Sequence, residues 1–213
     1  MDLVELALAD VITDFEFFEA AKSLLIWHKD RCPIFQQFIL SIDDWREFEA
    51  SKELGELPFL PVDVFKVDYL SSVDVSQLVK EVRSSGTSGS FSKIGLDRKT
   101  SDLMERRLTK DTSRIIGSRR LPMYVVGDKT MVLNRKSLQA REAAVVGLLK
   151  FGRPIRFLFQ DGRLDREALD ELVSFRGKSL IVGTTVSVWR DLLPILGESK
   201  VRFLGTPIII HGG

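Results

Sequence analysis

The sequence predicts an α/β fold in which helices cover a mixed or mostly parallel sheet, preceded by a helical N-terminal segment. Three observations predict it. From residue 78 onward short apolar runs alternate with helix-like stretches, the first fifty residues space their apolar side chains as a helix does, and no internal repeat or low-complexity linker interrupts the chain.

In chain order, Phe15, Phe17, Phe18, Ala21, Leu24, Leu25 and Trp27 leave polar positions between them at helical spacing. Pro33 starts a second helix through Phe35, Phe38 and Ile39, because a proline at the first helical position loses no hydrogen bond. Residues 1–54 therefore form a helical segment and 55–213 the α/β part. Pro58, Pro61 and the alternation of Val62, Val64, Phe65 and Val67 predict extended chain over 55–75. A strand follows at 78–83, then a loop over 84–92, a returning strand at 93–96, and a helix from about Thr100 capped by that threonine. Further strands are predicted at 123–126, 155–159, 179–182 and 201–210, with helices at 137–149, 165–175 and 187–196. Phe157 and Phe159 fall on one strand face and read as core.

Composition narrows the function classes. The 213 residues are 44% hydrophobic and 29% charged, the balance of a globular protein with a sizeable core. Lys and Arg number 31 against 30 Asp and Glu, for a formal charge of +1, which argues against nucleic acid or an anionic membrane as partner. Arg114, Arg119 and Arg120 cluster, but on so balanced a chain they read as a solvated helix end. No apolar run approaches the roughly 20 residues that span a bilayer. Asp2, Glu5, Asp10 and Asp14 break any leader-like stretch, and the single cysteine, Cys32, rules out an intramolecular disulfide; a cytoplasmic location is expected.

The stretch that carries chemistry is Ser84-Ser85-Gly86-Thr87-Ser88-Gly89. Its two glycines permit tight turns and close ligand approach, its four hydroxyls add donors, and consecutive backbone N–H groups can form an anion-binding nest. A polyphosphate needs such a density of donors. Lys93 follows, near enough to place a point charge on phosphate. The P-loop pattern is absent, since Gly89 is followed by Ser90 and Phe91, and so is the dinucleotide fingerprint. Two readings are open for the hexapeptide: a flexible linker or a phosphate site. Its place between two predicted strands, in mid-domain, favours the second.

These residues resemble the Ser/Thr-Ser/Gly-Gly-Thr-Thr-Gly loop of the adenylate-forming superfamily, in which a loop between two strands holds the β- and γ-phosphates of ATP. Other segments narrow the resemblance to the acyl-protein synthetases of bacterial bioluminescence: Leu57 to Lys66, Leu133 to Arg141, Gly147 with Phe151-Gly152-Arg153, Gly183-Thr184-Thr185 with Val188-Trp189, and His28, Cys32 and Pro33. The resemblance implies the large domain of an adenylate-forming enzyme, with ATP and Mg2+ as cofactors. A fatty acid or another carboxylic acid would be activated as its acyl-adenylate. The acyl group would pass to a protein thiol and on to an acyl reductase or other acceptor. It assigns nucleotide contacts to Ser84, Ser85, Gly86, Thr87, Ser88 and Gly89, with Thr87 and Lys93 nearest the chemistry and His211 and Gly212 facing the nucleotide or acyl group. It assigns no metal ligand.

The resemblance also implies that the chain ends, at Ile210-His211-Gly212-Gly213, ahead of the segments that complete the superfamily's adenine and ribose site. The expectation is a partial adenylation domain over 55–213. Its alternative is a non-catalytic or split-enzyme subunit that pairs with a companion chain. Among the remaining candidates, Lys93 reads equally as a phosphate contact or a solvated strand residue. Cys32 reads as a small buried hydrophobe and His28 as a helix-face histidine packed on Trp27 or Cys32. Asp43 and Asp44 form no recognisable acid–base pair, since carboxylates beside Trp45 at a helix start fit an N-cap equally well.

Overall fold

The computed structural model describes residues 3–42, 45–84, 91–117, 119–130, 140–198 and 201–212. They form two compact units, Met1–Arg107 and Leu108–Gly213.

The first unit opens with α1 (Leu3–Leu8), α2 (Asp14–Lys29), α3 (Pro33–Ile42) and α4 (Trp45–Ala50). Thr13 caps α2 through a reciprocal box: Glu16 N–H donates to Thr13 Oγ1 at 3.2 Å and Thr13 N–H donates to Glu16 Oε2 at 2.8 Å. Pro33 is the first residue of α3, as the sequence predicts. Cys32, Phe35 and Ile39 are buried at the centre of this unit, with Leu25, Phe38, Leu60 and Leu70 packed against them. Lys22 Nζ donates to the carbonyls of Glu49 (2.7 Å) and Ser51 (3.1 Å), tying α2 to the end of α4.

The stretch 55–75 departs from expectation. It forms no strand; it begins in a 3-10 turn, Leu54–Glu56, and carries a single helical turn, α5 (Val64–Val67). Val64 N–H donates to Pro61 O and Phe65 N–H to Val62 O, so the proline starts a turn rather than an extended run. The two-residue alternation had no neighbouring strand to pair with. Strands β1 (Leu78–Arg83) and β2 (Lys93–Asp97) form an antiparallel pair. A Cβ at Gly95 would meet the Tyr69 hydroxyl and Leu78 Cδ1, so a larger residue there makes those two side chains shift.

Helix α6 (Arg98–Ile116) carries the chain from the first unit into the second. Its cap is Asp97 rather than the expected Thr100: Thr100 N–H donates to Asp97 Oδ1 at 2.8 Å. The carboxylate at the end of β2 is already aimed at the first turn, so the threonine becomes part of it.

In the second unit, five strands lie in the order β5-β4-β3-β6-β7. They are β3 (Leu121–Asp128), β4 (Gly152–Gln160), β5 (Arg163–Leu164), β6 (Lys178–Thr184) and β7 (Thr206–Gly212). All pairs are parallel except β4–β5, a hairpin closed at Asp161 and Gly162, both with positive φ. Helix α7 (Ala140–Leu148), with Ile116 of α6, covers one face: Val145 and Leu148 pack on Met123, Val125, Leu180 and Val182. Helix α8 (Arg166–Ser174) covers the other with Val188 and Leu192 of the helical run after β6, enclosing Tyr124, Val126, Leu158 and Ile181. That run comprises Thr185–Ser187, a π-type stretch Val188–Leu192, and Leu193–Glu198. Residues Met123 to Val126 are buried on both sides, which is why β3 reads as a continuous apolar run.

Two strand expectations need correction. β7 begins at Thr206, not 201: Thr206 N–H donates to Gly177 O at 3.0 Å, and Gly205 passes so close to the carbonyls of Phe175 and Gly177 that pairing starts only beyond it. Phe157 and Phe159 do not share one core: the former packs with Val125 and the latter with Leu158, the fully buried residue between them. The β3–β4 register shifts between Val125 and Asp128, turning the strand across that interval.

Candidate functional site

In the first unit, the β1–β2 pair holds both ends of the hydroxyl-rich loop. Ser84 N–H donates to Ser92 O at 3.0 Å, and Ser92 N–H donates to Ser84 Oγ at 2.9 Å. Ser84 Oγ thus acts as an acceptor in closing the base of the loop, which leaves its hydroxyl proton to donate. Ser85, Gly86, Thr87, Ser88 and Gly89 lie outside the described residues. Directly below the loop, Arg83 and Lys93 are register partners. Like charges placed opposite one another destabilise a strand pair. Glu81 offsets the Arg83 charge through a 2.6 Å contact to its Nε, while Lys93 stands exposed at the head of β2, where an anion seated in the loop would offset it.

In the second unit, the connections from β3 leave toward β4 and those from β6 leave toward β7, so the winding reverses between β3 and β6. In open sheets of this kind, ligands bind beyond the carboxyl ends of the strands at that reversal. Those ends carry Asp128 and Thr130 from β3, Gly183, Thr184 and Thr185 from β6, and His211 and Gly212 from β7. Thr184 caps the helical run: Ser187 N–H donates to its Oγ1 at 3.0 Å, and its own hydroxyl donates to Ser187 Oγ at 3.0 Å. His211 Nδ1 shares a 3.1 Å hydrogen bond with Thr185 Oγ1, and Gly212 pairs with Thr184 across the ladder. Asp128 is held below the usual carboxylate range chiefly by the Thr130 N–H at 2.9 Å. The structure therefore groups His211 and Gly212 with Thr184 and Thr185, a set of hydroxyls and one imidazole.

A third feature escapes any reading of the sequence. The first unit holds an open cavity of about 410 Å3, with a mainly apolar lining that includes Leu25, Phe35, Phe59 and Leu60. His28 and Ser72, 44 residues apart, meet on its wall, with Nδ1 and Oγ 2.6 Å from one another. Trp27 stacks edge-on against His28 with ring centroids 4.9 Å apart, as expected, and Phe35 does so at 6.3 Å. Desolvation holds the His28 pKa below its ordinary value. Cys32 is buried in the lining, as predicted. Nothing local in the sequence announces Ser72; only the fold brings it to the histidine. Asp43 and Asp44 lie outside the described residues. Among the described residues, no cluster of three or more His, Cys, Asp or Glu side chains could hold a metal ion, and no helix is long and apolar enough to cross a membrane.

The two-sided, mainly parallel sheet with its winding reversal, together with a hydroxyl-rich loop clasped by a separate strand pair, defines an α/β protein of the kind that builds ligand sites from strand ends and loops. The profile of the family described as acyl-protein synthetase, LuxE, matches residues 23–181, and the chain belongs to that family. The match spans the loop, Lys93, His28 and Ser72, and stops short of His211 and Gly212. A comparison with curated proteins gives no match.

Proposed function

We propose that this chain takes part in the ATP-dependent activation of a fatty acid as its acyl-adenylate, for transfer to a protein thiol. The observation that carries the proposal is the family match, which spans the loop and the strand pair that clasps it. A carboxylate oxygen of the acid attacks the α-phosphorus of ATP. The bond from that phosphorus to the bridging oxygen breaks, and the electron pair leaves with pyrophosphate. A thiolate then attacks the acyl carbonyl and AMP departs. The acyl group goes on to an acyl reductase or another acceptor, in the cytoplasm, and a different carboxylic acid in place of the fatty acid would follow the same chemistry.

Two anions must approach each other in the first step, so the chain has to offset their repulsion with fixed donors. By the family resemblance, Ser85 to Gly89 supply N–H and O–H donors to the β- and γ-phosphates, and Thr87 is assigned a catalytic role. Ser84 holds the loop closed at its base. Lys93 adds a point charge to the leaving pyrophosphate, which also relieves its repulsion with Arg83. Mg2+ accompanying the nucleotide would supply further positive charge against the phosphates, beside the donors of the loop and Lys93. His211 and Gly212, at the carboxyl end of β7, face the nucleotide or acyl group.

Thr87→Ala removes one hydroxyl and keeps the backbone. It should slow fatty-acid-dependent ATP–pyrophosphate exchange roughly 10- to 100-fold, the equivalent of one hydrogen bond to a charged group, with the circular dichroism unchanged. Exchange at the parent rate in a folded Thr87→Ala protein takes Thr87 out of the site. A second reading, a subunit completed by a companion chain, is favoured by β7, whose only strand neighbour among the described residues is β6. Light scattering on the purified protein that gives a bare monomer mass at every concentration, with exchange intact, argues against it.

A further inference from the structure

We propose that the open cavity of the first unit is a binding site for the hydrocarbon chain of a long-chain fatty acid, with its carboxyl head at the His28–Ser72 pair. The choice of ligand rests on the acyl-activating reading; the site rests on geometry. At about 410 Å3 the cavity falls within the range of roughly 300–1,000 Å3 typical of small-molecule pockets. Leu25, Phe35, Phe59, Leu60, Phe65 and Leu70 contribute to its lining. An apolar chain placed there removes both surfaces from water, which is the main source of affinity for such a ligand. Every lining residue, from Leu25 to Thr100, lies inside the segment shared with the acyl-protein synthetase family.

Polar groups on the wall set the orientation. With its proton on Nδ1, His28 donates to Ser72 Oγ across the 2.6 Å contact, which leaves the Ser72 hydroxyl proton to donate to a carboxylate. Asp97, also on the wall, is held below the usual carboxylate range by hydrogen bonds from Thr100, first its side chain and then its N–H at 2.8 Å. A fixed negative charge there repels an anionic head, so the head settles at His28–Ser72. Phe59 keeps 80% of its surface exposed, so a chain can enter without opening the buried core around Cys32, Phe35 and Ile39.

The test is displacement of the fluorescent fatty acid cis-parinarate from the purified full chain by tetradecanoate, below its micelle concentration and without ATP. Saturable binding at one site per chain is expected, with hexanoate displacing at least about a hundredfold more weakly, the effect of burying only four of its eight missing methylenes. Phe59→Glu, a change at an exposed position, should weaken tetradecanoate on the order of tenfold, and Ser72→Ala by a few-fold, with circular dichroism unchanged. Absence of saturable binding, or parent affinity in both Phe59→Glu and Leu60→Gln as folded proteins, overturns the proposal. Because the assay contains no nucleotide, its failure leaves the phosphate-loop reading intact, and loss of nucleotide binding with fatty-acid binding retained would overturn that reading instead.

Discussion

Gly183 stands at the carboxyl end of β6, where β3, β6 and the following helical run converge. A Cβ on this residue would lie 2.9 Å from Val126 Cβ, 3.0 Å from Ser187 Oγ and 3.2 Å from Val188 Cγ2. Two opposed effects bear on Gly183→Ala. Reducing the freedom of the unfolded chain stabilises by about 0.4–1 kcal/mol where the native backbone accepts alanine. Forcing a methyl group into a packed wall costs about 1–3 kcal/mol. Neighbouring atoms here sit well inside the ~3.5–4.0 Å of relaxed carbon contacts, and two of the three belong to β-branched valines that cannot swing away. Overpacking therefore wins, with a net loss of about 1–2 kcal/mol. Gly197 provides the contrast: it lies in the helical stretch Leu193–Glu198 with nothing within 4 Å of a Cβ. Gly197→Ala should gain up to about 1 kcal/mol from helix propensity. Urea titration followed by circular dichroism reads both, with the midpoint moving down for Gly183→Ala and up for Gly197→Ala at unchanged slope. A Gly183→Ala protein as stable as the parent would refute the close packing described for the β3–β6 end.

Three further outcomes follow from titrating and capping groups. Desolvation lowers the His28 pKa, so the folded state favours neutral imidazole; its contribution to stability is present above the unfolded value of about 6.5 and is lost as pH falls through the folded one. Urea midpoints should drop on acidification below neutrality, less steeply in His28→Gln, and equal slopes in the two proteins would contradict this. Tyr124 is pushed up to about 12, first by burial and then by Glu171, whose Oε1 accepts from its hydroxyl at 3.3 Å. Its stabilising contribution is full below about pH 10 and is lost as pH rises through 12, so ultraviolet titration should show a late-ionising phenol that Tyr124→Phe removes. Thr13→Ala breaks the box that starts α2 and should cost about 0.5–2 kcal/mol in urea unfolding.

The legibility of this fold in its sequence follows the range of the forces involved. β1 is found at the residues predicted, because its bounds are set locally by the turn at Val75–Gln77 and by the serine that ends it. Pro33 fixes the start of α3 for an equally local reason. The cap of α6 is ambiguous in the sequence because Asp97 and Thr100 are both good capping residues three positions apart. Only the direction in which β2 delivers the chain decides between them. The start of β7 depends on the carbonyls of Phe175 and Gly177, thirty residues back, which no local pattern reveals. The candidate sites divide the same way. The hydroxyl-rich loop is a contiguous string and is visible at once, and the structure places its base between Ser84 and Ser92. The His28–Ser72 pair and the cavity around it exist only after α2, α3 and the chain past α5 have packed together.

The proposed seating of the phosphates of ATP in the loop after β1 is read by calorimetric titration of Mg·ATP into the purified chain and into its Thr87→Ala and Lys93→Ala variants. Saturable binding is predicted, about tenfold weaker in each variant, and weakened in the second more at low salt than at high salt because a point charge on phosphate is screened. Mg·ATP that fails to bind, or that binds both folded variants as tightly as the parent, would take the phosphates out of this loop.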